Sequence, residues 1–341
     1  MVFIIRADAS KKIGSGHVMR CLALAQELRK MNNSVIFTAE EMFPYLKARI
    51  KNEGFAVQIL KFRVGMDQTK RLLQYSKHKH ARWVILDGYN FDGQYQRILK
   101  NGGLNILSID DIGRAKFYSD IIVNQNFSAS SRLYRNKAIH SRLFLGTKYT
   151  LLREEFSRLK PLKFKQPIKQ ILISLGGGLF TDHYVIKILE ALDETFTERL
   201  SINILLGMGG KETHGLSRTV NNSQHLIRLI KPGDFSPEII RRSGLAISAA
   251  GSTMWELSYF GIPTVCIILS KNQEFLAVEL AKRRICYNAG WIKETRASDL
   301  AGIIGRLKND PKLRRRMSEM MKKLVDGKGR TRIARHVLED R

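Results

Sequence analysis

Short runs of consecutive apolar residues, many of them β-branched, recur along this chain and alternate with longer stretches in which apolar positions return every three or four residues. The short runs read as strands buried on both faces and the longer stretches as helices packed over them, which is the pattern of parallel sheets with crossover helices. In the first half, strands are expected at residues 2–5, 34–38, 56–60, 83–86, 105–109 and 120–123. Residues 157–167, SRLKPLKFKQP, break the pattern: two prolines, several basic side chains and no apolar periodicity mark a linker. The alternation then resumes, with strands expected at 170–174, 201–206, 226–230, 245–248 and 264–268. The predicted fold is α/β, with two Rossmann-like domains facing a central cleft: residues 1–156, the linker 157–167, and residues 168–341, the C-terminal helices being expected to pack back toward the first domain. No short-period repeat and no low-complexity tract argues for a solenoid or a disordered chain.

Composition agrees with two folded domains. The 341 residues exceed the size at which one core stops growing, and 44% hydrophobic with 26% charged residues is globular usage. The opening MVFIIRADASKK passes from a short apolar run directly to charges, unlike a secretion signal, and no stretch reaches the length of a membrane span. Cys21, Cys266 and Cys286 are widely spaced in apolar surroundings, as expected of buried thiols in a reducing compartment, so the cytoplasm is the expected location. The formal charge of +27 changes the picture, because it calls for nucleic acid, an anionic membrane surface or a phosphorylated substrate. Residues 306–341 hold 13 Lys or Arg against 5 Asp or Glu. There Arg314, Arg315 and Arg316 share a helical segment with the apolar stripe of Leu313, Met317, Met320, Met321 and Leu324. A solvated basic face is the plainer account, since no nucleic-acid motif accompanies it. The expected partners are a phosphorylated substrate, no specific nucleic acid, and at most weak peripheral association with an anionic membrane.

Doubly wound sheets bind ligands at the carboxyl ends of their strands, and the polar clusters of this chain follow predicted strands. After the first strand come Arg6 and Asp8, then Gly14, Ser15 and Gly16, then His17 and Arg20 on a helix running to about residue 28. Glycines admit a ligand close to the backbone, and a helix start offers free N–H groups. His17 stands in the first helical turn, where the dipole disfavours imidazolium and leaves a base able to accept a proton from water. Capping its own helix is the plainer role for such a histidine; the company of Arg6 and Asp8 weighs toward catalysis. Asp8 either orients the imidazole or binds a sugar hydroxyl. Asp87 and Tyr89 follow the fourth strand, Asp110 and Asp111 the fifth, and Asn124 to Asn126 the sixth. The paired aspartates either serve acid/base or metal chemistry, or cap a helix or pair with Arg114. Tyr89 either lines the site or packs in the core with a wet hydroxyl. No HExxH, DxD or CxxC pattern points to a metal, and no metal or cofactor is expected.

In the second half, Ser174-Leu175-Gly176-Gly177-Gly178 follows a strand and precedes a helix beginning near Asp182, an arrangement that cradles a diphosphate. Gly251, Ser252 and Thr253 repeat that logic after a later strand, with Glu256 one turn into the next helix, where a carboxylate suits the two hydroxyls of a ribose. Thr253 and Glu256 also have the spacing of a capping box.

The segments IIRADASKKIGSGHVMRCLALAQEL, ILDGYNFD, SIDDIGRAKFYSDIIVNQN, LLREEF, AISAAGSTMWELSYFGIPTV and KNQ, in this order, resemble the UDP-sugar hydrolases of pseudaminic acid biosynthesis and the related spore-coat polysaccharide biosynthesis protein G. The resemblance spans nearly the whole chain. It implies the GT-B architecture of nucleotide-sugar glycosyltransferases, whose wider group shares the GSTMWEL to GIP segment. It further implies His17 as the base that activates water, Tyr89 and Asn272 on the sugar, and Arg153 reaching the ligand. Gly177, Gly178, Ser252 and Thr253 would hold the diphosphate and Glu256 the ribose. The run SLGGGLFTDHY departs from the family's glycine-glycine-Ser/Thr-Asp pattern. The activity implied is metal-independent hydrolysis of a UDP-linked 2,4-diacetamido-2,4,6-trideoxy hexose, or a related UDP-amino sugar, with inversion at the anomeric carbon. A GT-B glycosyltransferase with a UDP-sugar donor and a non-catalytic binder of nucleic acid or another anionic polymer are the alternatives.

Overall fold

The computed structural model describes residues 1–10, 13–60, 68–113, 116–164, 167–176, 182–207 and 213–339. Two compact units divide the chain, one formed by Met1–Glu154 with Gly327–Arg341 and the other by Glu155–Asp326.

The first unit is built on seven parallel strands: β1 (Val2–Ala7), β2 (Ser34–Ala39), β3 (Ala56–Ile59), β4 (Trp83–Asp87), β5 (Asn105–Ile109), β6 (Ile121–Asn124) and β7 (Arg142–Leu145). They lie in the order β3-β2-β1-β4-β5-β6-β7, so the winding reverses between β1 and β4. The apolar runs form these strands because both sheet faces are covered. Phe3, Ile5, Trp83 and Ile85 pack on one side with Val18, Cys21 and Leu22 of the helix Gly16–Lys30. Ile4, Val84 and Leu86, their alternating neighbours, pack on the other side. There they meet Leu72 of the helix Gln68–His78 and Tyr95 and Leu99 of the helix Gly93–Asn101.

The second unit holds β8 (Gln170–Ser174), β9 (Ser201–Leu205), β10 (Leu226–Ile230), β11 (Leu245–Ala249), β12 (Thr264–Ile268) and β13 (Tyr287–Trp291), all parallel, in the order β10-β9-β8-β11-β12-β13. Here the reversal falls between β8 and β11. Ile171, Ile173, Ile247 and Val265 meet Val185, Ile188 and Leu192 of the helix Asp182–Thr195 in the core.

Two strands lie outside the sequence expectation, β7 and β13, and both are sheet edges. RLFL is only four residues long, and YNAGW contains Asn, Ala and Gly, which are poor strand formers held here by pairing with a neighbour. The final helix, Gly329–Glu339, falls within residues 168–341 of the sequence division and, as expected of the C-terminal helices, packs in the first unit. Ile333, Ala334 and Val337 enter the core under the first sheet, and Arg330 Nε donates to Glu27 Oε2 at 2.8 Å with both residues buried. The basic tail also differs from a uniformly solvated face. Arg314 is 1% exposed, and its guanidinium donates to the carbonyls of Leu307 and Lys308, which end the helix Ala297–Asn309, while Arg315 and Arg316 are exposed. No helix among the described residues is long and apolar enough to cross a membrane.

Candidate active site

β1 and β4 are neighbours at the reversal point, and their register sets Ala7 beside Asp87. The helix Gly16–Lys30 follows β1, so its first turn stands over the end of β4. His17 Nδ1 lies 2.6 Å from Asp87 Oδ1, and Asp87 is fully buried. An ionised carboxylate only accepts, so the bond requires the imidazole proton on Nδ1 and leaves the lone pair of a neutral ring on Nε2. Arg20, one turn along the helix, donates through Nε to Asp87 Oδ2 and through Nη2 to Asp87 Oδ1, both at 2.6 Å, and through Nη1 to Asp111 Oδ1 at 2.8 Å. Asn126 Nδ2 donates to the same Asp111 oxygen at 3.1 Å.

Burial alone would raise the Asp87 carboxyl; the Arg20 guanidinium and His17 overcome it and hold the group below the usual aspartate range. Beneath them Cys21 donates to Asp87 Oδ2 at 3.5 Å, and burial followed by the neighbouring carboxylate pushes its thiol up. Two carboxylates thus face one guanidinium beside the His17 ring. The Tyr89 ring meets the His17 ring edge-on, 5.1 Å between centroids, and is 52% exposed.

Asp87 is the residue that the sequence patterns leave outside the candidate site. Asp8 does not orient the imidazole: it pairs with Arg6 Nη1 at 2.5 Å and accepts from the N–H groups of Glu40 and Glu41. Arg6 is 2% exposed and lies over the Phe91 ring, 5.2 Å from its centroid. Arg20, expected on the substrate, has its guanidinium engaged by the two aspartates. Asp110 does not join Asp111 in a metal-binding pair; it accepts from the N–H groups of Ile112 and Gly113 and from the Tyr134 hydroxyl, a local turn cap. Burial raises its carboxyl despite these bonds. Arg114 lies outside the described residues.

Gly14 has φ 76°, a left-handed conformation that favours glycine, and turns the chain into the helix at Gly16. The N-cap residue Ser15 makes no side-chain cap bond to that helix. Ser15 instead bonds the Tyr45 hydroxyl, which burial pushes up and which Ser15 and Arg153 draw back, so Arg153 belongs to the surroundings of the same turn.

In the second unit, Ser174 to Gly176 and Ala250 to Thr253 stand at the carboxyl ends of β8 and β11, either side of the reversal. A Cβ added to Gly251 would meet nothing within 4 Å, so packing does not demand glycine there; a ligand approaching the backbone would. Ser252 is the N-cap of the helix Thr253–Phe260 and makes no side-chain cap bond. The box expected from Thr253 and Glu256 is out of register, because Glu256 falls one position beyond the third helical residue. Asn272 is exposed at the start of the helix Lys271–Lys282 after β12, where its side chain accepts from Ser270 Oγ at 2.6 Å. Gly177 and Gly178 lie outside the described residues.

Residues 171–333 match the glycosyltransferase family 28 C-terminal domain. The Bacillus subtilis spore coat polysaccharide biosynthesis protein SpsG is 23% identical over 344 residues, covering 98% of this chain and 97% of its own length. The UDP-2,4-diacetamido-2,4,6-trideoxy-beta-L-altropyranose hydrolase of Campylobacter jejuni is 24% identical over 286 residues, covering 83% of this chain and 97% of its own. Protein MJ1062 of Methanocaldococcus jannaschii is 28% identical over 287 residues, 80% of this chain, and the match spans 57% of the Methanocaldococcus protein. The crystal structure of Acinetobacter baumannii MurG aligns over 99% of this chain and 100% of its own with a TM-score of 0.69 at 15% identity. With two parallel doubly wound units of seven and six strands, the chain has the GT-B architecture.

Proposed function

We propose that this chain hydrolyses a UDP-linked 2,4-diacetamido-2,4,6-trideoxy hexose or a related UDP-amino sugar, for nonulosonic acid or surface polysaccharide biosynthesis. In this reading His17 is the base, Tyr89, Arg153 and Asn272 contact the sugar, and the loops after β8 and β11 hold the nucleotide. The observation that carries the reading is the His17–Asp87 pair at the reversal point of the first sheet, a buried carboxylate behind an imidazole that lies beside the exposed Tyr89 ring. Nε2 of His17 takes a proton from water, the water oxygen bonds to the anomeric carbon, and the bond from that carbon to the phosphate oxygen breaks, releasing UDP. The start of the helix Thr253–Phe260, which its N-cap side chain leaves open, receives the charge that grows on the leaving diphosphate. One displacement inverts the anomeric centre. The names of the Bacillus and Campylobacter relatives support this assignment.

The family 28 match favours a second reading, in which an acceptor hydroxyl replaces water on the same base. Incubating the purified chain with a panel of UDP-sugars, with and without a chelator and without any acceptor, separates the two. UDP release equal to free-sugar release, undiminished by chelator, is the expected result; no release until an acceptor is added would make the chain a transferase.

Glu256 is assigned to the ribose hydroxyls. Glu256→Ala is expected to weaken UDP binding by about 1.5–3 kcal/mol, the range for a hydrogen bond to a charged group. Calorimetry showing unchanged UDP affinity in the folded variant would remove that role.

A further inference from the structure

A cavity of about 610 Å³ opens in the second unit, and its lining includes none of the residues proposed to hold the nucleotide. Its walls are the end of the helix Lys271–Lys282, the start of β13, the end of the helix Ala297–Asn309 and the first turns of the helix Pro311–Lys322. Helices that cross over a parallel sheet end where the next strand begins, so this hollow lies at the amino-terminal edge of the sheet. Ala250 to Thr253 occupy the opposite, carboxyl edge. The floor is apolar, with Cys286 and Met317 buried and Leu313 beside them.

Four exposed cations rim the opening: Arg284, Arg306, Lys312 and Arg316. Asp310, an acid in the lining, accepts from the Leu313 N–H at 2.8 Å as a helix cap. Arg306 donates to the Tyr287 hydroxyl at 3.0 Å. Arg284 and Arg306 follow or end helices, where basic groups complement the dipole. Lys312 and Arg316 have no such reason. They stand in the first and second turns of the helix Pro311–Lys322, where the N-cap Asp310 is the one acid beside them in the cavity lining. Among the described residues, no side-chain hydrogen bond or ion pair engages Arg284, Lys312 or Arg316.

We propose that this cavity binds a phosphate-bearing ligand with an apolar portion, its phosphate oxygens on Arg284, Lys312 and Arg316 and its apolar part on Met317 and Leu313. Guanidinium forks match phosphate geometry, and the volume falls within the roughly 300–1,000 Å³ usual for small-molecule sites. An anion seated there offsets the mutual repulsion of the cations. The site is separate from the UDP-sugar reading and does not depend on it. A soluble organic phosphate and a phospholipid headgroup share this chemistry, and the experiment separates them.

The 341-residue chain is titrated with inorganic pyrophosphate by calorimetry, and in parallel is sedimented with phosphatidylglycerol or phosphatidylcholine vesicles. Three proteins are compared: the natural chain, the reversal K312E/R316E, and the control K70E/K77E, which changes the net charge equally on exposed residues of the first unit. Saturable binding to pyrophosphate or to phosphatidylglycerol vesicles is expected, weakened at least tenfold by the cavity reversal and unchanged by the control. Pyrophosphate binding without vesicle binding identifies a soluble ligand; binding to phosphatidylglycerol vesicles identifies a headgroup. The pair K312A/R316A gives the same direction should the reversal disturb the fold, which thermal melting reports. Binding to neither probe, equal losses in cavity and control variants, or no loss in the cavity variant overturns the proposal. The last result would place the pyrophosphate on other loops.

Discussion

Replacing His17 by asparagine is expected to leave the fold and the affinity for UDP-sugar intact while lowering turnover by about 10² to 10⁴, the contribution usual for a positioned general base. The amide can still donate to Asp87, so the buried carboxylate keeps a partner, but it offers no basic lone pair to water. Single-turnover rates read the chemical step, and calorimetry with the unreacted nucleotide sugar reads binding. A loss confined to affinity, with the chemical step unchanged, would make His17 a contact residue and leave the base to be found elsewhere.

Asp87→Asn has a larger expected effect, because it acts on both catalysis and stability. An amide in place of the carboxylate no longer fixes the proton on Nδ1 of His17, and an isosteric change of this kind at the orienting aspartate of a hydrolytic triad costs about 10⁴ in turnover. It also leaves the Arg20 guanidinium facing a neutral group on one side, where breaking a buried pair costs about 3–5 kcal/mol. Urea denaturation measures the second effect separately from the first. The pH dependence has a definite sign. The folded carboxyl lies below its unfolded value, so its stabilisation is complete above about pH 3.9 and is lost only as pH falls through the lower folded value. The destabilisation of the variant relative to the natural chain should therefore narrow in acid. An Asp87→Asn protein with natural turnover and a natural urea midpoint would show that the pair neither orients nor stabilises.

The strands most plainly legible in the sequence are those buried on both faces, such as Val2–Ala7 and Trp83–Asp87, whose apolar runs have no other use. β7 and β13 are not legible: RLFL is short and opens on a basic residue, and YNAGW carries Asn, Ala and Gly, whereas the edge strands Ala56–Ile59 and Leu226–Ile230 keep an apolar alternation. The Gly14 to His17 turn stands out because glycines between a strand and a helix have few alternative uses. Its partner Asp87 does not, although it is visible as a polar residue closing the fourth strand. Which of Asp8, Asp87, Asp110 and Asp111 meets the imidazole depends on β1 lying beside β4, a pairing between distant segments that no local spacing encodes. Strand order is the signal that finds it, since the reversal point falls between those two strands. The return of the chain's end to the first domain is legible in the sequence, and the final helix takes that place, marked by the Arg330–Glu27 pair.

In the proposed reaction His17 activates water toward carbon and not toward phosphorus. Hydrolysis in ¹⁸O-labelled water, followed by mass spectrometry of both products, tests it most directly. Label in the released sugar and none in UDP is the expected result; label in the UDP phosphate would mean attack at phosphorus and would contradict the assignment of His17.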